Sequence, residues 1–306
     1  MRVLITGATG LIGQEIVKLF HKKGIAVNYL TTSKSKIQQT ENYQGFYWDP
    51  KLQEIDDGCF KNVDAIIHLV GATVSKRWTP IHKKKILNSR KETTQLLVNA
   101  LKGESHTIKQ IISASAIGGY PDSLINYYDE SFKIVETSFL SRVVKVWEQE
   151  VDAFSKLNIM VSKIRIGLVL SNKGGALQEI VKPIKFGLGA ALGSGKQWQS
   201  WIHIQDLAHM FLFVLQNNLN GIYNGVAPNP VSNKELTKTI AKVLKKPLFL
   251  PNIPKFFMQF ILGEMHVLLF ESQRVSSKKI EDKGFNFKYH HLEPALKDLL
   301  LHSSFK

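Results

Sequence analysis

The chain has 306 residues, 44% of them hydrophobic, and a mean hydropathy close to zero, which describes a globular protein with an ample core. Its single cysteine, Cys59, excludes an intramolecular disulfide. The net charge of +15 favours anionic partners, but the lysines are scattered and no nucleic-acid motif accompanies them, so a solvated basic surface is expected.

No signal peptide is read ahead of the first strand. The longest apolar region, 256–270, is broken by Gln259, Gly263, Glu264 and His266 and is too short to span a bilayer. The expectation is a cytoplasmic monomer or homodimer acting on a small molecule, with no membrane, nucleic-acid or metal partner.

The chain opens on its most informative stretch. Val3, Leu4 and Ile5 read as a strand buried on both faces, and Gly7, Gly10 and Gly13 follow at constant spacing. Leu11, Ile12, Ile16, Leu19 and Phe20 then share one helical face, so the glycines sit in a strand-to-helix turn. Such a turn aims free backbone N–H groups and the positive end of a helix dipole at one point, which suits a pyrophosphate. The spacing is GxxGxxG rather than the commonest dinucleotide fingerprint. An ordinary glycine-rich turn looks similar, but the strand before and the helix after favour a dinucleotide.

A second strand is expected over 26–30. About 20 residues past the glycines, an acidic side chain would hold the ribose hydroxyl of NAD. Here the strand runs into Thr31, Thr32, Ser33, Lys34, Ser35 and Lys36, with no acid at all. Hydroxyls and two lysines suit a phosphate on that ribose, so NADP(H) is expected in preference to NAD(H). A solvated loop that touches nothing is the plainer alternative.

Further strands are expected at 45–48, 64–71, 108–113 and 159–170, and helices at 81–101 and 139–155. His68, inside an apolar strand, reads as a hydrogen-bonded core histidine. The second helix carries Leu140, Val143, Val144, Trp147, Val151 and Phe154 on one face. Strands alternating with helices predict an α/β fold: a doubly wound parallel sheet with a cleft at the carboxyl ends of its strands. Past residue 171 the glycines become frequent, an apolar helix starts at Leu207, and Ser232-Asn233-Lys234-Glu235 reads as a capping box. The main domain is therefore expected over 1–170, with later returns at about 200–225. A smaller, mixed, substrate-side domain is expected over 171–306.

Three stretches together, TGATGLIG at 6–13, DAIIHLVGA at 64–72 and SASAIGGY at 113–120, resemble the extended short-chain dehydrogenase/reductases of the NAD-dependent epimerase/dehydratase family, which have a Rossmann-type fold. Arg77-Trp78-Thr79, Ser89-Arg90, the run GLGAALGSGKQWQSWIHIQDL and QRV at 273–275 are similar to an atypical subgroup, called simply epimerase family proteins, with a C-terminal domain of unknown function. The resemblance spans essentially the whole chain. It implies that the turn from Gly7 through Thr9, Gly10, Leu11 and Ile12 to Gly13 binds the pyrophosphate. Thr31 and Thr32 stand beside the adenosine ribose, where relatives often carry arginine at the second position. Lys34 or Lys36 would then supply the charge. Leu69 and Val70 line the cofactor through their backbone, Arg90 reaches its phosphates or ribose, and Val169 lies near the nicotinamide.

Working members of the family use a Tyr-x-x-x-Lys pair on the helix after the serine strand, the lysine lowering the tyrosine's pKa for acid–base work. With Glu148 set on the glutamate that follows that lysine by four residues, the two positions hold Leu140 and Val144, both apolar. Lys145 points about 100° away. Ser115 matches the usual serine. Ser115, Arg165 and His203 are taken as catalytic candidates, with Lys145, Tyr120 and Gln197 on segments that should also border the cleft. Each has a structural alternative: an ion pair for Arg165, a hydrogen bond within a strand for His203. Two readings stay open, an NADP(H)-dependent oxidoreductase or epimerase-like enzyme, and a cofactor-binding sensor that turns nothing over.

Overall fold

The structure, a computed structural model, describes residues 1–102 and 105–301; the last residues of the expected C-terminal domain, 302–306, lie outside the described residues. Seven parallel strands form the main sheet: β1 (Arg2–Thr6), β2 (Ala26–Thr31), β3 (Tyr43–Asp49), β4 (Ala65–His68), β5 (Gln110–Ala116), β6 (Met160–Ile166) and, later in the chain, Gly221–Gly225. From the last of these the order runs β6-β5-β4-β1-β2-β3, so the strand order reverses beside β1. Two-residue strands at Gln39–Thr40 and Glu54–Ile55 pair antiparallel with β3. The expected doubly wound α/β sheet is met.

Local chemistry explains the helices. Helix α1 (Leu11–Lys22) buries Ile16, Leu19 and Phe20, and Gly24, at φ +69°, lets the chain turn back into β2. Helix α2 (Pro80–Leu101) is capped by Thr79, whose hydroxyl accepts from the His82 N–H, with proline in the first turn. Helix α3 (Phe139–Asp152) starts from a reciprocal box between Ser138 and Ser141. Helix α2 lies on one face of the sheet, where His68 meets Thr94, and Glu148 of α3 meets Ser115 on that same face.

The expected strand at 159–170 is broken at Gly167. A Cβ there would stand 2.1 Å from the Ser200 carbonyl oxygen, so only glycine lets the chain pass that close. Beyond it, β7 (Leu168–Leu170) leaves the main sheet and pairs in parallel with β8 (Trp201–His203). The strand expected at 64–71 likewise stops at His68; Leu69 turns away, its N–H bonded to Thr6.

Helix α4 (Ala176–Lys185) follows β7, and helix α5 (Ile204–Gln216) begins three residues earlier than the apolar run suggested, because His203 caps it. At helix α6 (Asn233–Val243) one half of the expected capping box is present: the Ser232 hydroxyl accepts from the Glu235 N–H. Helix α7 (Lys255–Leu262) and helix α8 (Leu292–Leu301) complete the longer helices. Further along, Phe285 and Phe287 plug the main core. A second apolar cluster joins α4, α6 and α8 to Leu170 and Trp201.

Candidate functional site

At the carboxyl end of β1 the turn presents an open helix terminus. Gly10, at the N-cap of α1, offers no side-chain cap, and the first turn of α1 holds no acid. The N–H groups of that turn are therefore left to an outside acceptor. The geometry explains two of the three glycines. Gly7 adopts φ +74° and backs on to Leu69, whose Cβ would lie 3.3 Å from a side chain there. A Cβ on Gly13 would fall 2.2 Å from the Gly7 carbonyl oxygen and 2.7 Å from Ala8 Cα, so α1 can lie against the turn only with glycine at that position. Thr9 and Gly10 face solvent, while Leu11 is half-buried against the second apolar cluster and Ile12 against both.

The end of β2 lies directly beside this turn, since Thr6 registers with Leu30. Thr31 is buried and its hydroxyl accepts from the Ser33 N–H at 3.2 Å. Thr32, Lys34 and Lys36 are exposed, with Lys34 Nζ 5.0 Å from the centroid of the Tyr47 ring. Tyr29 fixes the base of the loop by donating to the Lys36 carbonyl at 2.6 Å and accepting from Gln38 N–H at 2.8 Å. The loop thus brings cations and hydroxyls to the edge of the glycine turn with no carboxylate among them.

On the other side of β1, β4 leads to Leu69, Val70 and Gly71. Behind them sits Arg90 of α2, its guanidinium over the Trp147 ring at 4.8 Å and its Nη1 donating to the carbonyls of Ile86 and Ala72 at 2.9 and 3.2 Å. A Cβ on Gly71 would stand only 2.9 Å from Arg90 Cζ. Arg90 forms no ion pair among the described residues, and its buried Nε has no hydrogen-bond partner. Burial pulls its pKa down to about 10. A buried cation without an ion pair among the described residues, on the strand end next to the glycine turn, fits a phosphate-bearing ligand. The same burial, followed by the Arg90 charge, drives His68 down to about 3, so that histidine stays neutral between the hydroxyls of Thr6 and Thr94.

Two of the three catalytic candidates, Ser115 and Arg165, meet on Glu148, and His203 does not join them. Ser115 is buried and donates to Glu148 Oε1 at 2.6 Å. Arg165 is buried too: Nε and Nη2 each lie 2.9 Å from one Glu148 oxygen, and Nη1 donates to the Tyr120 hydroxyl at 3.0 Å. Tyr120 in turn donates to Asn224 at 2.8 Å, and burial foremost pushes its pKa to about 12. Burial opposes the charged form of Glu148, yet the hydrogen bonds and charge of Arg165 hold its carboxyl below the usual range.

His203 lies apart from this network, fully buried. Its Nδ1 accepts from Gln205 N–H at 3.1 Å, and its Nε2 is 3.3 Å from Asp298 of α8. Gln197 is buried between the carbonyls of Leu192 and Leu269, and Lys145 pairs with Glu136 at 3.2 Å on the surface. Val144 is buried against Gly119, and Leu140 is half-buried against Gly118, short of the full burial its stripe suggested. Val169 is half-buried where the two apolar clusters meet.

Glu148 is the residue that sequence reasoning used only as a landmark. Its signal was available: a carboxylate on the apolar stripe of α3 and an arginine inside an apolar strand each need a buried partner, and each is the other's.

A parallel sheet of this order with a glycine turn after its first strand defines a Rossmann-type α/β protein of the short-chain dehydrogenase/reductase kind. The profile of the NAD dependent epimerase/dehydratase family matches residues 3–225, and that of a domain of unknown function, DUF1731, matches residues 253–299. An epimerase family protein of Staphylococcus aureus strain MRSA252 is 37% identical over 302 residues, covering 97% of this chain and 98% of its own. The crystal structure of the human epimerase family protein SDR39U1 with NADPH superposes with a TM-score of 0.86 at 30% identity, covering 98% of this chain and 99% of that one. A nucleoside-diphosphate sugar epimerase from Corynebacterium glutamicum gives a TM-score of 0.79 at 27% identity, covering 99% of this chain and 58% of that one. The chain belongs to the NAD-dependent epimerase/dehydratase family.

Proposed function

We propose that the protein binds NADP(H) at the carboxyl edge of the sheet, in preference to NAD(H), and is an oxidoreductase or sugar-epimerase-like protein without the usual Tyr-x-x-x-Lys pair. The observation that carries this is Arg90, a buried guanidinium with no ion pair among the described residues, packed against Gly71 just past the strand end that backs the glycine turn. The human relative solved with NADPH supports the choice of cofactor. In this reading the α1 N-terminus and Arg90 hold phosphate charge, Leu69 and Val70 line the cofactor, and Val169 flanks the nicotinamide. Thr31, Thr32, Lys34 and Lys36 face the phosphate on the adenosine ribose. Bound, the cofactor supplies hydride transfer. The chain's own part is to position it: the apolar side chains of Leu140 and Val144 hold no proton, so acid–base work falls to another group, with Ser115, Arg165 and His203 as the candidates.

A second reading, a sensor with little or no turnover, is favoured by one observation. The polar atoms of Ser115 and Arg165 that could serve a substrate are engaged inside the protein.

The test is the dissociation constant of NADPH against NADH at low and moderate salt. One well-placed lysine contributes about 1.5–3 kcal/mol to a charged contact, so NADPH is expected to bind at least about tenfold tighter. Thr32→Arg should widen the gap, because arginine grips phosphate with two donors, and Lys34→Ala with Lys36→Ala should close it. Equal affinities in the wild type would overturn the cofactor assignment. Single-turnover oxidation of bound NADPH by a panel of carbonyl compounds, and reduction of bound NADP+ by a panel of nucleotide sugars, separates enzyme from sensor.

A further inference from the structure

An exposed apolar face lies around α7. No residue of that helix is buried: Phe256 is 73% exposed and Phe260 84%. The loop after α4 adds Phe186 at 82% and Leu188 at 58%, and the segment before α7 adds Phe249 at 69%. These side chains come from two stretches of chain that are laced together. Gly193 N–H donates to the Ile253 carbonyl and Ile253 N–H to the Ala191 carbonyl, 2.8 and 2.9 Å, and Asn252 reaches the Gly193 carbonyl. Scattered apolar residues on a surface are ordinary, but a set of large aromatics clustered on two joined segments marks a contact face.

Charge says what kind of contact. Neither stretch holds an acid: residues 180–205 and 236–263 contain no Asp or Glu. Lys185, Lys245 and Lys246 stand exposed at its rim, without an ion pair among the described residues, and Lys255 opens α7. Two of the acids flanking these stretches are already paired with lysines. Glu264 is bonded to Lys83 at 2.6 Å, Glu179 to Lys182 at 2.6 Å, and Glu271, half-buried, receives Gln273 and the charge of Lys255. Protruding aromatics within an acid-free, lysine-rimmed face match an anionic lipid surface, where rings enter the headgroup boundary and lysines meet lipid charge. A second copy of the chain fits poorly, because like faces would set lysine against lysine.

We propose that this face, formed by α7 and the loop after α4, docks the protein peripherally on an anionic membrane surface. A peripheral contact departs from the expectation of no membrane partner, which rested on the short apolar region and the scatter of the lysines. Among the described residues no helix is long and apolar enough to cross one, and a peripheral contact needs none. The inference is independent of the cofactor.

Co-sedimentation with vesicles tests it, using phosphatidylcholine alone and phosphatidylcholine with a quarter phosphatidylglycerol. The full-length protein should bind the anionic vesicles at least tenfold more than the neutral ones, with binding weakened by salt. Phe256→Ser with Phe260→Ser should lower that binding at least tenfold while circular dichroism and NADPH affinity stay unchanged. Lys245→Glu with Lys246→Glu should lower it as well. Absence of vesicle binding overturns the proposal. So does anionic binding that the phenylalanine variant retains in full, which would reflect net charge alone. A dimer in sedimentation equilibrium that the same variant dissociates, without vesicle binding, also overturns it in favour of a second copy.

Discussion

Arg165 and Glu148 form a two-pronged ion pair inside the protein, with both contacts at 2.9 Å and neither side chain much exposed to water. The pair ties β6 to α3, and Ser115 and Tyr120 complete its hydrogen bonding. Its importance lies in what happens when it is broken, because a lone buried charge is far more costly than a satisfied pair.

Glu148→Gln should therefore destabilise the protein by about 3–5 kcal/mol, read from urea unfolding. Combining it with Arg165→Leu, which removes the stranded cation, should recover part of that loss. If the double variant is no more stable than the single, the pair is not the source of the effect.

The glycine turn should separate folding from binding. Gly13→Ala forces a Cβ against the Gly7 carbonyl and should lower stability by about 2 kcal/mol or more. Gly10→Val starts from a Cβ position 3.2 Å from the same oxygen, tight but on the solvent side. It should fold and lose nucleotide binding, as calorimetry would record. Unchanged affinity in that variant would remove the turn from the site.

Arg90 sets stability against function. Its guanidinium is desolvated without an anion, so Arg90→Met should leave thermal stability unchanged or higher in the free protein. The same variant should weaken NADPH binding at least about tenfold, the loss of one charge-assisted contact of about 1.5–3 kcal/mol. The wild type should gain more in melting temperature from saturating NADPH than the variant does.

Acid should destabilise the fold through two histidines. Burial foremost lowers His68 to about 3 and His203 to about 4, against an unfolded value near 6.5. Between those values the unfolded chain binds the extra protons, so stability rises with pH through that window and is lost as pH falls below about 6.5. At about 1.36 kcal/mol per unit, His68 alone should remove about 2 kcal/mol between pH 6.5 and 5. Urea midpoints at pH 7 and pH 5 give the slope, and His68→Gln should flatten it. A slope unchanged by that substitution would show that His68 is not the group titrating.

The main sheet, α1 and the glycine turn were legible in the sequence because their rules are local. A buried parallel strand reads as an unbroken apolar run, an amphipathic helix as a period of 3.6, and a tight turn as glycine at fixed spacing. The acid-free loop at 31–36 was legible for the same reason, since a missing carboxylate is a property of one short stretch.

Tertiary structure decided everything that depends on distant partners. His203 ends β8, as a strand histidine should, but it also caps α5 and faces Asp298, a residue 95 positions away that only the docking of α8 brings near. Gly167 looks like a residue inside a strand until Ser200 is seen to pass 2.1 Å from where its Cβ would be, which sends β7 out of the sheet. Arg165 could have faced a substrate; whether it does is settled by Glu148, because a buried charge takes the nearest opposite one. Periodicity reports which face of an element is buried, but not against what, and it is the partner that turns a polar side chain into a structural tie or leaves it, like Arg90, without an ion pair among the described residues.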